Sequence, residues 1–204
     1  MRDDDVEPES TGTGDRKAES TSALLAPRFG AFLDYLERVH ERTRRVVLLI
    51  PPADVEWAPA PHWFTFGGLV RHLAAIERWM FAENALERPS RYPGHDRQLA
   101  DGYEAVLAYY DRLHAESYQA FASLDDSALE RKVTTPSGAP ITLWKWMRSM
   151  SEHEAHHRGQ LYLMLAVRGV PTPPLYGLTS EEVRARSLGP TIPRHSDPRL
   201  PDTG

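Results

Sequence analysis

The 204-residue chain contains no cysteine. No disulfide framework can staple it, and any metal it binds must be held by nitrogen and oxygen ligands. An unbroken apolar run of about 18 residues, as a membrane span needs, is also missing. The N-terminus is acidic and polar where a secretory leader would carry a basic segment and then an apolar one. The expectation is a cytoplasmic protein with no membrane partner. Basic charge is scarce too. Residues 1–22 hold seven acids against three bases, a net −4 of the chain's −5, which leaves −1 for everything after them. The remainder has no basic stripe and no Lys/Arg run interleaved with aromatics, so nucleic-acid binding has no electrostatic support.

What the chain does have is 41% hydrophobic residues, enough for one domain with a real core. Residues 1–24 form an acidic tail rich in Ser, Thr and Gly, expected to be disordered, and 188–204 a second, proline-rich one. Between them, residues 25–187 carry four apolar stripes of helical period, near 28–50, 65–86, 101–124 and 142–168. Pro51-Pro52 ends the first. Thr65 is placed to cap the second, and Asp101-Gly102-Tyr103-Glu104 resembles a capping box for the third. Gly169 stops the fourth. Val133-Thr134-Thr135 and Ile141-Thr142 flank a Pro-Ser-Gly turn, a small hairpin before helix 4. Thr179-Ser180-Glu181-Glu182 is a capping box for a short last helix, and Leu175–Leu178 has the side chains to pack on the bundle. The fold class is therefore all-α, a four-helix bundle.

Helix 4 contains His153-Glu154-Ala155-His156-His157-Arg158-Gly159-Gln160. At ~100° per residue His157 lies on the apolar stripe and His153 at its edge one turn earlier, so two imidazoles point the same way. Such a pair on one stripe favours two nitrogens offered to one metal ion over two core histidines with hydrogen-bond partners. His156 lies roughly 130° from the stripe's centre on the same ~100° wheel, outside it. The stretch also satisfies H-E-x-x-H, in which Glu154, inside the stripe, would be the base of a zinc protease. The extended form of that motif fails, because Gln160 and Leu163 occupy the places of its Gly and third His. Glu181 and Glu182, the downstream acids, belong to a helix cap. On helix 2, Glu77 sits mid-stripe, where an unpaired carboxylate is expensive, so it needs an Arg, a metal-bound imidazole or water as partner. His72, at the edge of that stripe, is by itself no more than a half-exposed histidine. His114, beside the face of helix 3, reads as structural.

Taken together, Thr65 to Leu73, Glu77, the His153–Gln160 segment, Leu163 to Gly169 and Pro173 to Thr179 resemble the DinB-like superfamily of four-helix metalloproteins, related to thiol S-transferases and mycothiol-dependent maleylpyruvate isomerase. The resemblance covers roughly residues 28 to 187, and His-x-x-x-His-Arg-Gly-Gln is its specific part. It implies that His72, His153 and His157 hold a divalent metal ion, zinc, nickel or iron, with positions left open. Gly68 departs from the pattern, standing where members often carry a polar or acidic residue. The implied activity is transfer of a low-molecular-weight thiol such as mycothiol or bacillithiol, supplied from outside because the chain has none. Its small-molecule electrophile would be walled by helix 1 and by Trp57 or Trp63, with Arg158 or Gln160 orienting an acidic group. A metal-dependent hydrolase or lyase with Glu77 or Glu154 as base, and a non-enzymatic metal or small-ligand binding bundle, stand as alternatives. Related bundles commonly pair, and the surplus aromatics Trp79, Tyr109 and Trp144 lead to the expectation of a homodimer.

Overall fold

The structure, a computed structural model, describes residues 29–188; both expected tails lie outside that range but for Leu188. Helix α1 spans Phe29–Val47. It stops three residues short of the apolar stripe's end, because the chain ahead of Pro51-Pro52 tightens into turns closed by Leu49 N to Val46 O and Ile50 N to Val47 O. Helix α2 starts at Phe66, with the Thr65 hydroxyl accepting from Gly68 N, and is regular to Ile76. It continues through a π-helical stretch, Glu77–Ala82, into a last turn, Glu83–Ala85. The wide turn absorbs one extra residue, so the buried apolar positions run Ile76, Phe81, Ala82, Ala85, and Met80, which a regular helix would place one turn after Ile76 on the same face, is only half-buried.

Helix α3 is Tyr103–Ala122, entered through Gly102 at φ 85° with no side-chain cap. The capping box expected at Asp101 does not form, since the Asp101 carboxylate accepts from Arg97 Nε at 2.6 Å instead. Strands β1, Lys132–Thr134, and β2, Pro140–Thr142, pair antiparallel with Val133 opposite Ile141. Helix α4, Leu143–Val167, ends at Gly169, φ 70°, where Gly169 N bonds Ala166 O and Val170 N bonds Leu165 O, the paired closure a left-handed glycine allows. Helix α5, Ser180–Ser187, has the Thr179–Glu182 capping box but buries nothing. Tyr176 is 80% exposed, so the expected packing of that segment on the bundle is slight.

Around the bundle axis α1 neighbours α4 and α3, and α2 neighbours α3 and α4. Two apolar clusters fill it. One gathers Val46, Phe66, Leu69, Leu113, Leu161 and Leu165; the other Leu36, Phe81, Phe121, Leu143 and Met147. Between them lies a polar layer of buried His40, Thr43, Glu77, Ser117, Glu154, His157 and Arg158. Buried polar groups are mostly paired, and the pairings in this layer show which of its members belong to the site and which to the bundle core.

Candidate metal centre

His72 comes from α2 before its π-helical stretch; His153 and His157 come from consecutive turns of α4. Their Nε2 atoms converge. His72 Nε2 lies 3.1 Å from His153 Nε2, which lies 3.1 Å from His157 Nε2. The rings are held from behind. His157 Nδ1 donates to Gln160 Oε1 at 2.6 Å, and His72 Nδ1 meets the Tyr92 hydroxyl at 2.7 Å. The first bond fixes the tautomer of His157, leaving its Nε2 with a free lone pair aimed inward. Burial lowers the His72 pKa to about 3, helped by His153 and His157. Burial and His157 lower that of His153 to about 4, and burial lowers His157 as well. Three neutral imidazoles therefore face one point.

The surrounding shell contains residues the sequence reading did not find. Arg71, buried beside His72, bonds Glu56 Oε1 at 2.8 Å, His95 O at 2.9 Å and Ala100 O at 2.9 Å. It ties both loops flanking α2 to the helix that carries His72. Gly67 permits this: a Cβ there would stand 3.0 Å from Arg71 Nη1, Glu56 Oε1 and Val55 O. At Gly68 a Cβ would stand 3.0 Å from Thr65 Oγ1, against the helix cap itself. Phe64 packs on His72 with ring centroids 5.1 Å apart and edge-on to His157 at 5.9 Å. Tyr92 and Phe64 lie in loops, where hydrophobic periodicity carries no information. Arg71 stands beside a histidine on an otherwise apolar helix, and an Arg there signals a pairing that sequence cannot place.

The other residues expected at the site sit elsewhere. Glu77 bonds His114 Nδ1 at 3.0 Å, and His114 Nε2 meets Glu37 at 3.3 Å. His40 stacks on His114 with centroids 3.4 Å apart. Glu154 faces Tyr110, whose hydroxyl donates to it at 3.4 Å; burial, and then repulsion from Glu77, raise its pKa to about 7. Arg158 is buried and turned to α1, donating to Val39 O and Thr43 Oγ1. His156 is exposed on α4. Of the expected aromatics, Trp57 packs on Phe66 and under Arg168, and Trp63 is 61% exposed. Trp79 is covered by the guanidinium groups of Arg78 and Arg91.

The sequence pattern of the DinB superfamily matches residues 35–161. Two solved structures share the fold. A DinB-like protein from Bacillus cereus is 17% identical with a TM-score of 0.62, over 74% of this chain and 99% of its own. A DinB-like protein from Bacillus subtilis is 16% identical with a TM-score of 0.57, over 72% of this chain and 96% of its own. No functionally curated protein matches the chain.

Proposed function

The chain belongs to the DinB superfamily, and on that premise we propose that His72, His153 and His157 hold one divalent metal ion at which an external low-molecular-weight thiol is activated for transfer. The observation that carries this is the convergence of three imidazoles, with His153 Nε2 3.1 Å from Nε2 of both His72 and His157 and the three ligand atoms within 4.8 Å of one another. It fits an ion with nitrogen bonds of ~2.0–2.1 Å, whose tetrahedral ligands lie roughly 3.3 Å apart. Among the described residues a second group of potential ligands, His40, Glu77 and His114, also lies close together, but there His114 is hydrogen-bonded to Glu77 at 3.0 Å. A structural site closes with four protein ligands, so three leave a position for a reactant.

When bound, the ion would supply positive charge that favours the ionised form of a thiol or water beside it. Burial holds the imidazoles neutral, and this chain's own residues hold the rings in place: Tyr92 and Gln160 from behind, Phe64 packed on His72 and edge-on to His157. Glu77 and Glu154 are occupied by His114 and Tyr110 in the bundle core, which leaves the cluster without a carboxylate to take a proton from water. A thiol, with a pKa near 8.5, needs far less help than water to ionise, and this favours thiol over water. In the transfer, the thiol loses its proton to solvent and its sulfur forms a bond to an electrophilic carbon. The leaving group departs with the electron pair of the broken bond. Metal analysis of the purified protein should give one ion per chain, and transfer to an uncharged aryl halide should require added thiol and stop with chelator. Hydrolysis of a test ester at undiminished rate without any thiol would overturn the reading.

A further inference from the structure

The seam between α2 and α4 does not end at the histidines. Leu69 lies one turn before His72, and Gln160, Leu163, Met164 and Val167 lie one to three turns beyond His157. At ~1.5 Å per residue, Met164 is about 10 Å along the helix from His157. There the seam opens into a cavity of about 470 Å³, roofed by Trp63 and Phe64 from the loop between α1 and α2. Phe64 and Gln160 are shared: each lines the cavity and each also touches His157.

No Asp, Glu, Lys or Arg lines this cavity, and its polar side chains are those of His62 and Gln160. The nearby arginines are committed elsewhere, Arg158 to α1 and Arg168 to Asp54 at 2.8 Å. An anionic substrate would find no counter-charge. Three large apolar side chains stand open around the cavity, Trp63 at 61%, Leu163 at 59% and Val167 at 61% exposure, an arrangement that marks a ligand groove. His62 is held at φ 68°, a left-handed conformation that strains a non-glycine residue and tends to collect at binding sites. A second cavity of about 640 Å³, between the end of α2 and the hairpin, contains no histidine.

We infer that the Trp63–Leu163–Val167 cavity binds the uncharged apolar body of the electrophile, an aryl or alkyl group, while its reactive end lies at the three histidines. This rests on the proposed function for the reactive end alone. The volume is about three times the ~150 Å³ that accepts benzene, enough for two fused rings or a chain of roughly ten carbons.

The test is a fluorescence titration of the purified, metal-bearing protein with N-phenyl-1-naphthylamine, an uncharged dye. Saturable binding of one dye per chain is expected, with energy transfer from tryptophan that falls in Trp63→Leu. Leu163→Glu and Val167→Glu alter exposed positions, so they should leave the circular dichroism unchanged and weaken binding by about tenfold or more, the effect of placing a charge against the dye. His72→Ala should lose the metal yet keep the dye, which separates failure of the metal assignment from failure of this one. In that variant naphthalene-methanol should displace the dye at least about tenfold better than 1-naphthoate, whose charge finds no partner. Absence of saturable binding, unchanged affinity in Leu163→Glu, or equal displacement by 1-naphthoate would each overturn the inference.

Discussion

Gln160 accepts the Nδ1 hydrogen of His157 at 2.6 Å from one helical turn away on α4. The bond fixes which nitrogen of His157 carries the proton and therefore which one faces His153. Removing it should free the ring to turn and to change tautomer. Gln160→Leu is expected to weaken metal binding about 10- to 100-fold, read by competition with a chromophoric chelator. Gln160→Glu keeps an acceptor and should retain most of the affinity. Equal affinity in Gln160→Leu and the parent would show that packing alone orients the ring.

The three imidazoles and His156 should separate cleanly. His153 and His156 are neighbours on one helix, but His153 Nε2 joins the cluster and the His156 ring is exposed. His72→Ala, His153→Ala and His157→Ala are each expected to leave the purified protein with little bound metal, and His156→Ala to bind it normally. Metal content by mass spectrometry checks this. Loss of metal in His156→Ala with retention in His153→Ala would reverse the assignment.

Arg71 is the stability prediction. Its side chain is 2% exposed and paired with Glu56, besides bonding the His95 and Ala100 carbonyls. Arg71→Met removes these bonds and leaves buried acceptors unpaired, a loss of about 3 kcal/mol. Urea unfolding should show the midpoint drop, and metal affinity should fall with it, because both loops beside His72 lose their anchor. A change below about 0.5 kcal/mol, the range of a surface substitution, would contradict this.

How far the sequence reveals this arrangement depends on what each residue's role rests on. Helix positions are legible because burial imposes a period: the 143–147–150–154–157–161 stripe of α4 is the buried face observed. The convergence of His153 and His157 follows from the same geometry. The partnership with His72 does not, since it depends on how α2 and α4 dock, and only resemblance pointed to it. Glu77 was expected to need a partner and has one, but that partner is His114, set by α3 packing that no single-helix pattern contains. The π-helical stretch that re-phases α2 after Ile76 was likewise out of reach, because periodicity assumes the regular turn it breaks. The Asp101 cap failed for a local reason, as Arg97 competes for the same carboxylate.

His114 should make stability fall on the alkaline side. Burial opposes its charge, but the hydrogen bonds it donates to Glu77 and Glu37, and their negative charge, outweigh that, and its pKa is raised from 6.5 to about 9. His40, stacked on it from α1, is lowered to about 3 by burial and by the His114 charge, so the pair carries one proton. From α4, Glu154 also faces this layer, and its rise to about 7 acts mainly below neutrality. A histidine whose folded pKa exceeds its unfolded one contributes its full stabilisation below the unfolded value and loses it as pH rises through the folded value. The His114 contribution is thus whole below about pH 6.5 and gone above about pH 9, a loss of roughly 3 kcal/mol. Denaturant midpoints of chelator-treated protein, which removes metal linkage, should decline across that window. Glu37→Gln alters a half-exposed side chain, 45% exposed, and deletes one of the two carboxylates, so the decline should finish at lower pH. The imidazole resonance of His114 should titrate near pH 9 in the parent and lower in Glu37→Gln. A His114 titration at or below pH 7 would show that the Glu77 and Glu37 contacts do not hold its proton.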